Sequence, residues 1–190
     1  MKKQPLGPCV TFFPQPATLI ATRNGAGRPN LMMASWAGIV SKTPPTMGVS
    51  LHHARQTYAN IQETRCFSVN VVPAALVEAG DFCGISSGSD TDKLAAAGLA
   101  VEDSSNGIPL LRESPLSVEC RFSREIPLGD YRLTLGEIIE VLADAAAFGA
   151  DGTANARAFD PLVYLGGLKE YWSLGQKQGD AYRCGLKYRK

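Results

Sequence analysis

The sequence predicts a mainly β protein with short helices, whose antiparallel sheet curls into a closed or nearly closed barrel. Six or seven strand-like segments recur along the chain, and tight turn signals such as "NGAGRPN" and "PLGD" join neighbouring strands. The helix-like segments are few and short. Antiparallel neighbours joined by short turns favour a barrel with helical excursions over a parallel α/β sheet.

The first strands lie in the N-terminal third of the chain. Residues 1–16 are rich in proline and predict an irregular lead-in. A strand is expected over 17–23, and Asn and Gly residues then supply a turn because they accept positive φ. One extended segment is expected over 31–41. Two prolines end it because proline cannot donate to a sheet ladder, and the next strand covers 47–53.

The middle of the chain alternates helix-like and strand-like segments. A short helix is expected over 55–64 and a strand over 66–72. Pro73 is well placed in the first turn of a helix that runs over 74–82. A loop followed by another helix is expected over 83–99.

The second half is more plainly β. Apolar and polar residues alternate over 116–125, and the chain returns through a strand over 131–144. The alternation slips around Gly136, as a β-bulge would make it do. The last strand is expected over 161–167. The chain is thus expected to divide into a lead-in, a barrel domain and a C-terminal tail, residues 1–16, 17–168 and 169–190.

Composition supports one packed domain and excludes several kinds of partner. The chain has 190 residues, 45% of them hydrophobic and 19% charged. Its net charge of +1 gives no general field for nucleic acid or an anionic membrane, so we expect neither as a partner. No stretch approaches the roughly 18 apolar residues of a membrane span. The proline-broken N-terminus is a poor secretory signal.

Cysteine usage indicates a reducing compartment. The five cysteines are scattered, odd in number and without a CxxC pair. We therefore expect free thiols in a cytoplasmic protein, and no disulfide framework or zinc site. Most of these cysteines lie in apolar alternation, where a packed, inert thiol is expected.

The familiar catalytic motifs are absent, which directs attention to the polar residues at strand ends. There is no GxSxG, HExxH, P-loop or strand-linked GxGxxG. His52 and His53 are adjacent in a strand-like segment and are expected to point to opposite faces, so we expect no metal site there.

Hydroxyl and basic residues gather where these strands end. They are Ser35, Ser50, Arg55, Thr57, Ser86, Ser87, Ser89 and Lys93. A phosphate monoester needs this mixture of positive charge, directed donors and a helix N-terminus. An ordinary alternative stays open, in which Arg55 is a solvated first-turn residue and Lys93 is a surface lysine.

Five segments in a fixed order resemble the flavin reductase-like family of FMN-binding split barrels, most closely its flavoredoxin-type branch. "NLMMASWAGIVSKTPPTMGVSL" is similar to the family's N-x-M-x-x-S/A-W stretch with its PP turn and V-S-L strand, and "HHARQTYANI" to R-x-T-x-x-N-I. "CFSVNVV" is similar to F-x-V-N, and "CGISSGSDTDKL" to C-G-x-x-S-G-x-x-x-D-K. "LSVECRF" with "LGEIIEV" completes the set. The resemblance covers about residues 15–168.

The resemblance implies a set of FMN-binding residues. The isoalloxazine ring would be lined by Met33, Ala34, Ser35 and Trp36. The ring and ribityl chain would be followed by Ser50, Leu51 and His52. The phosphate would be held by Arg55, Thr57, Ser87 and Lys93. Cys83 and Gly84 would lie at the ring edge or at a dimer contact, and Asn70 is either structural or cofactor-binding.

The resemblance also implies an activity. The chain is expected to be a homodimeric oxidoreductase that passes electrons from NADH or NADPH through FMN to flavin or to another small-molecule or protein acceptor. The flavin carries the chemistry, so no catalytic side chain is expected. One alternative is an FMN electron carrier without nicotinamide chemistry, and another is a barrel that has lost its flavin and binds something else. An oxidase of the pyridoxamine phosphate type fits the motifs less well. Tyr171 and Trp172 would reach a partner, cover the flavin or pack on the barrel.

Overall fold

The computed structural model describes residues 2–189 and has a curled, seven-stranded antiparallel sheet at its centre. The strands are Gln15–Pro16 (β1), Thr18–Arg23 (β2), Pro29–Ala34 (β3), Ala37–Lys42 (β4), Pro45–His52 (β5), Cys66–Val71 (β6), Val101–Asp103 (β7), Pro109–Leu111 (β8), Leu116–Leu128 (β9), Tyr131–Ala143 (β10), Leu162–Leu165 (β11) and Glu170–Ser173 (β12). The α-helices are Gln56–Thr64 (α1), Val77–Ile85 (α2), Lys93–Ala97 (α3) and Ala156–Phe159 (α4), and short 3-10 helices cover Ala74–Leu76, Ala145–Ala147 and Leu186–Tyr188. The central sheet has the order β3-β2-β6-β9-β10-β5-β4, so the predicted mainly β fold is confirmed.

The sheet is split where its two edge strands meet. The extended segment expected over 31–41 is in fact two strands, β3 and β4, at opposite edges of the sheet. Only Ser35 and Trp36 join them, and the Ser50 amide donates to the Trp36 carbonyl at 2.9 Å. Such a short connection holds the edges together although no ladder pairs them within residues 2–189. We call this junction the seam.

Two apolar cores lie on the two faces of the curled sheet. Ile20 points into the barrel, where it packs with residues such as Leu51 and Phe67. Leu19 and Ala21 alternate to the outer face, which α2, α3, β8 and β11 cover. Strand β2 is therefore buried on both sides.

The long β9–β10 hairpin contains the bulge predicted near Gly136. Its register shifts between Leu135 and Gly136, and again between Ile138 and Glu140. A Cβ atom at residue 136 would lie 2.8 Å from both Cys120 Cβ and Phe67 Cζ. The bulge therefore needs glycine because a side chain has no room in the inner core.

A short hairpin, β7–β8, covers the polar face of β9. The alternation of apolar and polar residues in β9 did not predict that another element packs on this face. Asn70 lies beneath it and makes four hydrogen bonds. Its amide donates to the Leu19 carbonyl and the Ser68 hydroxyl, and its oxygen accepts from the Leu111 amide and the Ser117 hydroxyl. Of the two roles left open for Asn70, the structural one accounts for all of its hydrogen-bonding capacity.

The expected lead-in and tail each contribute one strand. Strands β1 and β12 flank β11 in a separate three-stranded sheet. Residues 174–189 follow β12 and are exposed. All five cysteines are free, as expected. Over residues 2–189, every helix is too short or too polar to pass through a bilayer.

Candidate functional site

Two adjoining cavities open at the seam. The larger has a volume of about 470 Å³ and the smaller about 80 Å³. Met32 and Arg55 line both, so the two form one continuous site. Strands β3 and β5 supply one wall each, because the curl of the sheet brings the two edges together.

Most of the residues expected to line the ring and the ribityl chain do line the larger cavity. They are Met33, Ala34, Ser35, Trp36, Ser50, Leu51, His52 and Gly84, and Arg55, expected at the phosphate, lines it as well. The seam explains this grouping, since it brings the end of β3, the two connecting residues and the end of β5 to one place.

The larger cavity is also lined by Tyr171, for which contact with a partner, cover for the flavin and packing on the barrel were left open. Five further residues were not anticipated. They are Met32, Asp81, Tyr131, Tyr164 and Lys169. Only Tyr131 had a usable signal, because it opens β10 directly after a predicted turn, opposite His52. The Tyr171 hydroxyl donates to Asp81 Oδ1 at 2.9 Å and so ties β12 to α2. Burial, and then the hydrogen bond to Asp81, raise the pKa of Tyr171.

An aromatic wall closes one side of the larger cavity. Tyr131 lies 5.3 Å, between ring centroids, from both Trp36 and His52. The expectation that His52 and His53 point to opposite faces is wrong, because their rings stack at 4.9 Å. Strand β5 ends at His52, so the alternation of side chains does not extend to His53.

Hydrogen bonds set the tautomers of both rings. His52 Nδ1 accepts from the Ala54 amide at 3.1 Å, which leaves Nε2–H as the donor of the neutral ring. His53 Nδ1 lies 2.8 Å from the Asp130 carbonyl and donates to it. Residues 2–189 contain no group of three or more His, Cys, Asp or Glu side chains placed to hold a metal ion.

The smaller cavity collects the four side chains expected to hold a phosphate, Arg55, Thr57, Ser87 and Lys93. They come from the start of α1, from the loop after α2 and from the start of α3. Arg55 precedes α1 and its side chain makes no cap hydrogen bond, so among the described residues the cap position leaves the first-turn amides of this nine-residue helix open. Those amides and the helix dipole favour an anion here.

Lys93 is the most informative residue of the smaller cavity. It is only 4% exposed, so the alternative of a surface lysine is wrong. Its Nζ donates to the carbonyls of Leu31 and Cys83 at 3.0 and 2.8 Å. Burial lowers the pKa of Lys93, Cys83 opposes this shift, and the charge of Arg55 lowers the pKa further. No carboxylate pairs with Lys93 in the described part of the chain. A buried ammonium without a carboxylate favours an anionic ligand.

The Cys83 side chain lines neither cavity. It is fully buried in the outer core, and burial raises the pKa of its thiol. Its contribution to the site is the carbonyl that fixes Lys93. Gly84 does line the larger cavity, where a Cβ atom would lie 3.1 Å from Met33 Cβ.

The two cavities together fit a flat ring system that carries a phosphate. The larger falls within the range of about 300–1,000 Å³ usual for small-molecule sites and has apolar and aromatic walls. The smaller supplies two cationic side chains, hydroxyls and free helix amides at one end of it. This arrangement has the donors that a phosphate monoester requires.

Comparison with known proteins finds similarity to proteins whose names refer to flavins, in agreement with a site for a ring that carries a phosphate. The family model described as flavin reductase like domain matches residues 10–173, which include both cavities. The flavoredoxin of Desulfovibrio vulgaris (Miyazaki F) is 31% identical, with a TM-score of 0.91 over 97% of this chain and 100% of that chain. A flavin reductase candidate with a split barrel domain, from Shewanella frigidimarina, is 26% identical, with a TM-score of 0.79 over 88% and 86% of the two chains. The NADH-dependent FMN reductase RutF of Enterobacter cloacae is 27% identical over 131 residues, 69% of this chain and 77% of that protein.

Proposed function

Because the chain belongs to the flavin reductase like family, we propose that it binds FMN across the two cavities and passes electrons from NADH or NADPH to a flavin or another acceptor. One observation carries the proposal. A buried lysine, which no carboxylate of residues 2–189 pairs with, lies beside Arg55 and the uncapped N-terminus of α1, at the end of a cavity large enough for a ring. Likeness to an FMN reductase that uses NADH supports the choice of electron donor.

The phosphate end would be held by charge and by directed donors. Arg55 and the third Nζ–H of Lys93 would neutralise the phosphate, and Thr57 and Ser87 would donate hydroxyl hydrogen bonds. Ser87 Oγ also lies 2.7 Å from Ser89 Oγ, so its hydroxyl is shared with a neighbour. We therefore assign Ser87 a smaller part in binding than Arg55.

The ring would lie between the seam and the aromatic wall. Met33, Ala34, Ser35, Trp36, Ser50, Leu51, His52 and Gly84 would contact it. The Ser50 amide already donates to Trp36, so the Ser50 hydroxyl is the group that remains free for the ligand. When bound, FMN supplies the redox chemistry, and the chain's residues bind and orient it. Cys83 would act only through Lys93.

The exposed apolar surface supports a homodimer. Ile39 and Val40 on β4 are 64% and 54% exposed, and apolar residues at the ends of β9 and β10 are exposed as well. Exposed apolar side chains on β4, an edge strand, support an interaction surface there. We propose that the partner at this surface is a second copy of the chain. We also propose that the protein acts in the cytoplasm and that a small molecule or another protein accepts its electrons.

An FMN electron carrier is the second candidate, and a specific observation favours it. The likeness to a flavoredoxin extends over nearly the whole of both chains. Such a carrier would hold FMN in the same cavities and exchange electrons with a protein, without oxidising a nicotinamide itself. A barrel that has lost its flavin is disfavoured because the cluster of Arg55, Thr57 and Lys93 would then have no ligand.

The visible absorption spectrum of the purified protein, followed by anaerobic addition of NADH and NADPH separately, tests the proposal. We expect a yellow protein that one nucleotide bleaches, which also identifies the donor. A yellow protein that neither nucleotide bleaches would contradict the nicotinamide-dependent activity and favour the carrier. A colourless protein that does not take up added FMN would refute both candidates.

A further inference from the structure

Asn30 lies beneath the smaller cavity with an amide that is almost completely enclosed. The residue is 6% exposed and lines the cavity together with Thr57, Gly88 and Lys93. Its Nδ2 donates to Thr57 Oγ1 at 2.9 Å. Its Oδ1 is buried and has no hydrogen-bond partner among residues 2–189. Buried polar atoms without a partner are rare and costly, so the orientation of this amide needs a reason.

Gly88 supplies that reason. A Cβ atom built at Gly88 would overlap Asn30 Oδ1, whereas Asn30 Nδ2 would lie 3.7 Å from it. The amide oxygen therefore lies against the Gly88 Cα. A Cα–H group attracts a carbonyl oxygen weakly and repels an amide N–H in the same place. This contact turns the NH₂ group of Asn30 toward Thr57.

The orientation of Asn30 decides what the Thr57 hydroxyl can do. Thr57 is 1% exposed, and its oxygen accepts the hydrogen bond from Asn30. A threonine hydroxyl has one proton, and accepting from Asn30 leaves that proton free to be donated onward. The Thr57 hydroxyl donates to no acceptor within the described chain, and Thr57 lines the smaller cavity.

We infer that Asn30 is a positioning residue that holds the Thr57 hydroxyl as a donor toward the phosphate of the flavin. The inference deepens the proposed FMN function and rests on it. We assign Asn30 a role through Thr57 because its oxygen lies against Gly88 and one N–H of its amide is bonded to Thr57. Together the two residues favour a phosphorylated flavin over riboflavin, which has no group to accept the hydrogen bond.

A double-mutant cycle tests whether Asn30 acts through Thr57. The dissociation constants of FMN and riboflavin are measured by quenching of flavin fluorescence for Asn30→Leu, Thr57→Val and the double variant. We expect Thr57→Val to weaken FMN binding about tenfold, since a hydrogen bond to a charged group is lost. Asn30→Leu should weaken it by a similar factor, and the double variant by no more than Thr57→Val alone. Riboflavin affinity should not change.

Matched variants separate positioning from general destabilisation. Asn60 is another buried asparagine, bonded to Thr22 and absent from the smaller cavity. Asn60→Leu should lower the melting temperature without changing the ratio of FMN to riboflavin affinity. Thr57→Ser retains the hydroxyl and should keep the wild-type ratio. If Asn30→Leu does not fold, Asn30→Ala replaces it. Alanine removes the donor to Thr57 and adds no charge beside the phosphate, so the FMN preference should fall for the same reason.

Contrary outcomes are distinct from failure of the proposed function. FMN losses that add in the double variant, or an unchanged affinity ratio in both Asn30 variants, would overturn the role of Asn30 alone. A wild-type protein that binds FMN no better than riboflavin would overturn the phosphate site itself, and this inference with it.

Discussion

Replacing Arg55 with alanine tests the phosphate assignment with little risk to the fold. Arg55 is exposed, directly precedes α1 and lines both cavities. Its guanidinium makes no ion pair in the described residues. The substitution therefore removes a charge and its donors from the site while it leaves the contacts of the barrel in place.

The size of the effect follows from the exposure of Arg55. Hydrogen bonds to charged groups contribute about 1.5–3 kcal/mol. Water competes for an exposed guanidinium, so we expect the lower half of that range, about 1.5–2.2 kcal/mol. At about 1.4 kcal/mol for each factor of ten, FMN should bind roughly 10- to 40-fold more weakly.

Fluorescence titration of the apoprotein with FMN and with riboflavin measures this loss. Riboflavin has no phosphate, so its affinity should not change in the Arg55→Ala variant. Arg157→Ala is the control because it removes the same charge from α4, a helix that lines neither cavity of the site. Its FMN affinity should stay at the wild-type value.

Unchanged FMN affinity in Arg55→Ala would refute the reasoning. An equal loss in Arg157→Ala would mean that overall charge, and not a local contact, attracts the ligand. An equal loss of riboflavin affinity would show that Arg55 supports the ring or the ribityl chain instead of the phosphate.

Three further predictions concern the loop, the buried lysine and the bulge. Ser87→Ala should weaken FMN binding by only about two- to fivefold in the same titration, because that hydroxyl is neutral and shared. Burial holds the pKa of Lys93 below its ordinary value of 10.5, and a bound anion would raise it. FMN affinity should therefore be full below the pKa of free Lys93 and fall as pH rises through it. Lys93→Arg, like riboflavin with the wild-type protein, should lack this fall. Gly136→Ala should lower the free energy of unfolding by about 1–3 kcal/mol in denaturant titrations, whereas Gly38→Ala, with open space around its Cβ, should change it little.

The grouping of polar residues at strand ends could be predicted, because the local sequence pattern shows where each strand ends. Ser50, His52 and Arg55 lie where a strand becomes a helix, and the structure keeps that order. The burial of Lys93 was not predictable, because the carbonyls that surround it belong to Leu31 and Cys83, 62 and 10 residues away.

Other features that the sequence pattern did not predict also depend on tertiary packing. Asp81 and Tyr171 are 90 residues apart and meet only because β11 and β12 fold over α2. Strands β7 and β8 have three residues each, too few to show alternation. The break between β3 and β4 has no proline or glycine at Ser35–Trp36 to mark it. The barrel geometry, and not local preference, makes the chain change edges there.

The seam also bears on how the molecule opens. Strands β3 and β4 share no backbone ladder in the described chain, so beyond the Ser35–Trp36 connection they can separate without breaking ladder hydrogen bonds of the sheet. A ligand that contacts both β3 and β5 would bridge this gap. Its binding would raise the free energy of opening by RT ln(1 + [L]/Kd), where [L] is the free ligand concentration. Amide hydrogen exchange along the two edges would therefore slow when the cavity fills, while exchange in β6 and β9, at the opposite side of the curl, would change far less.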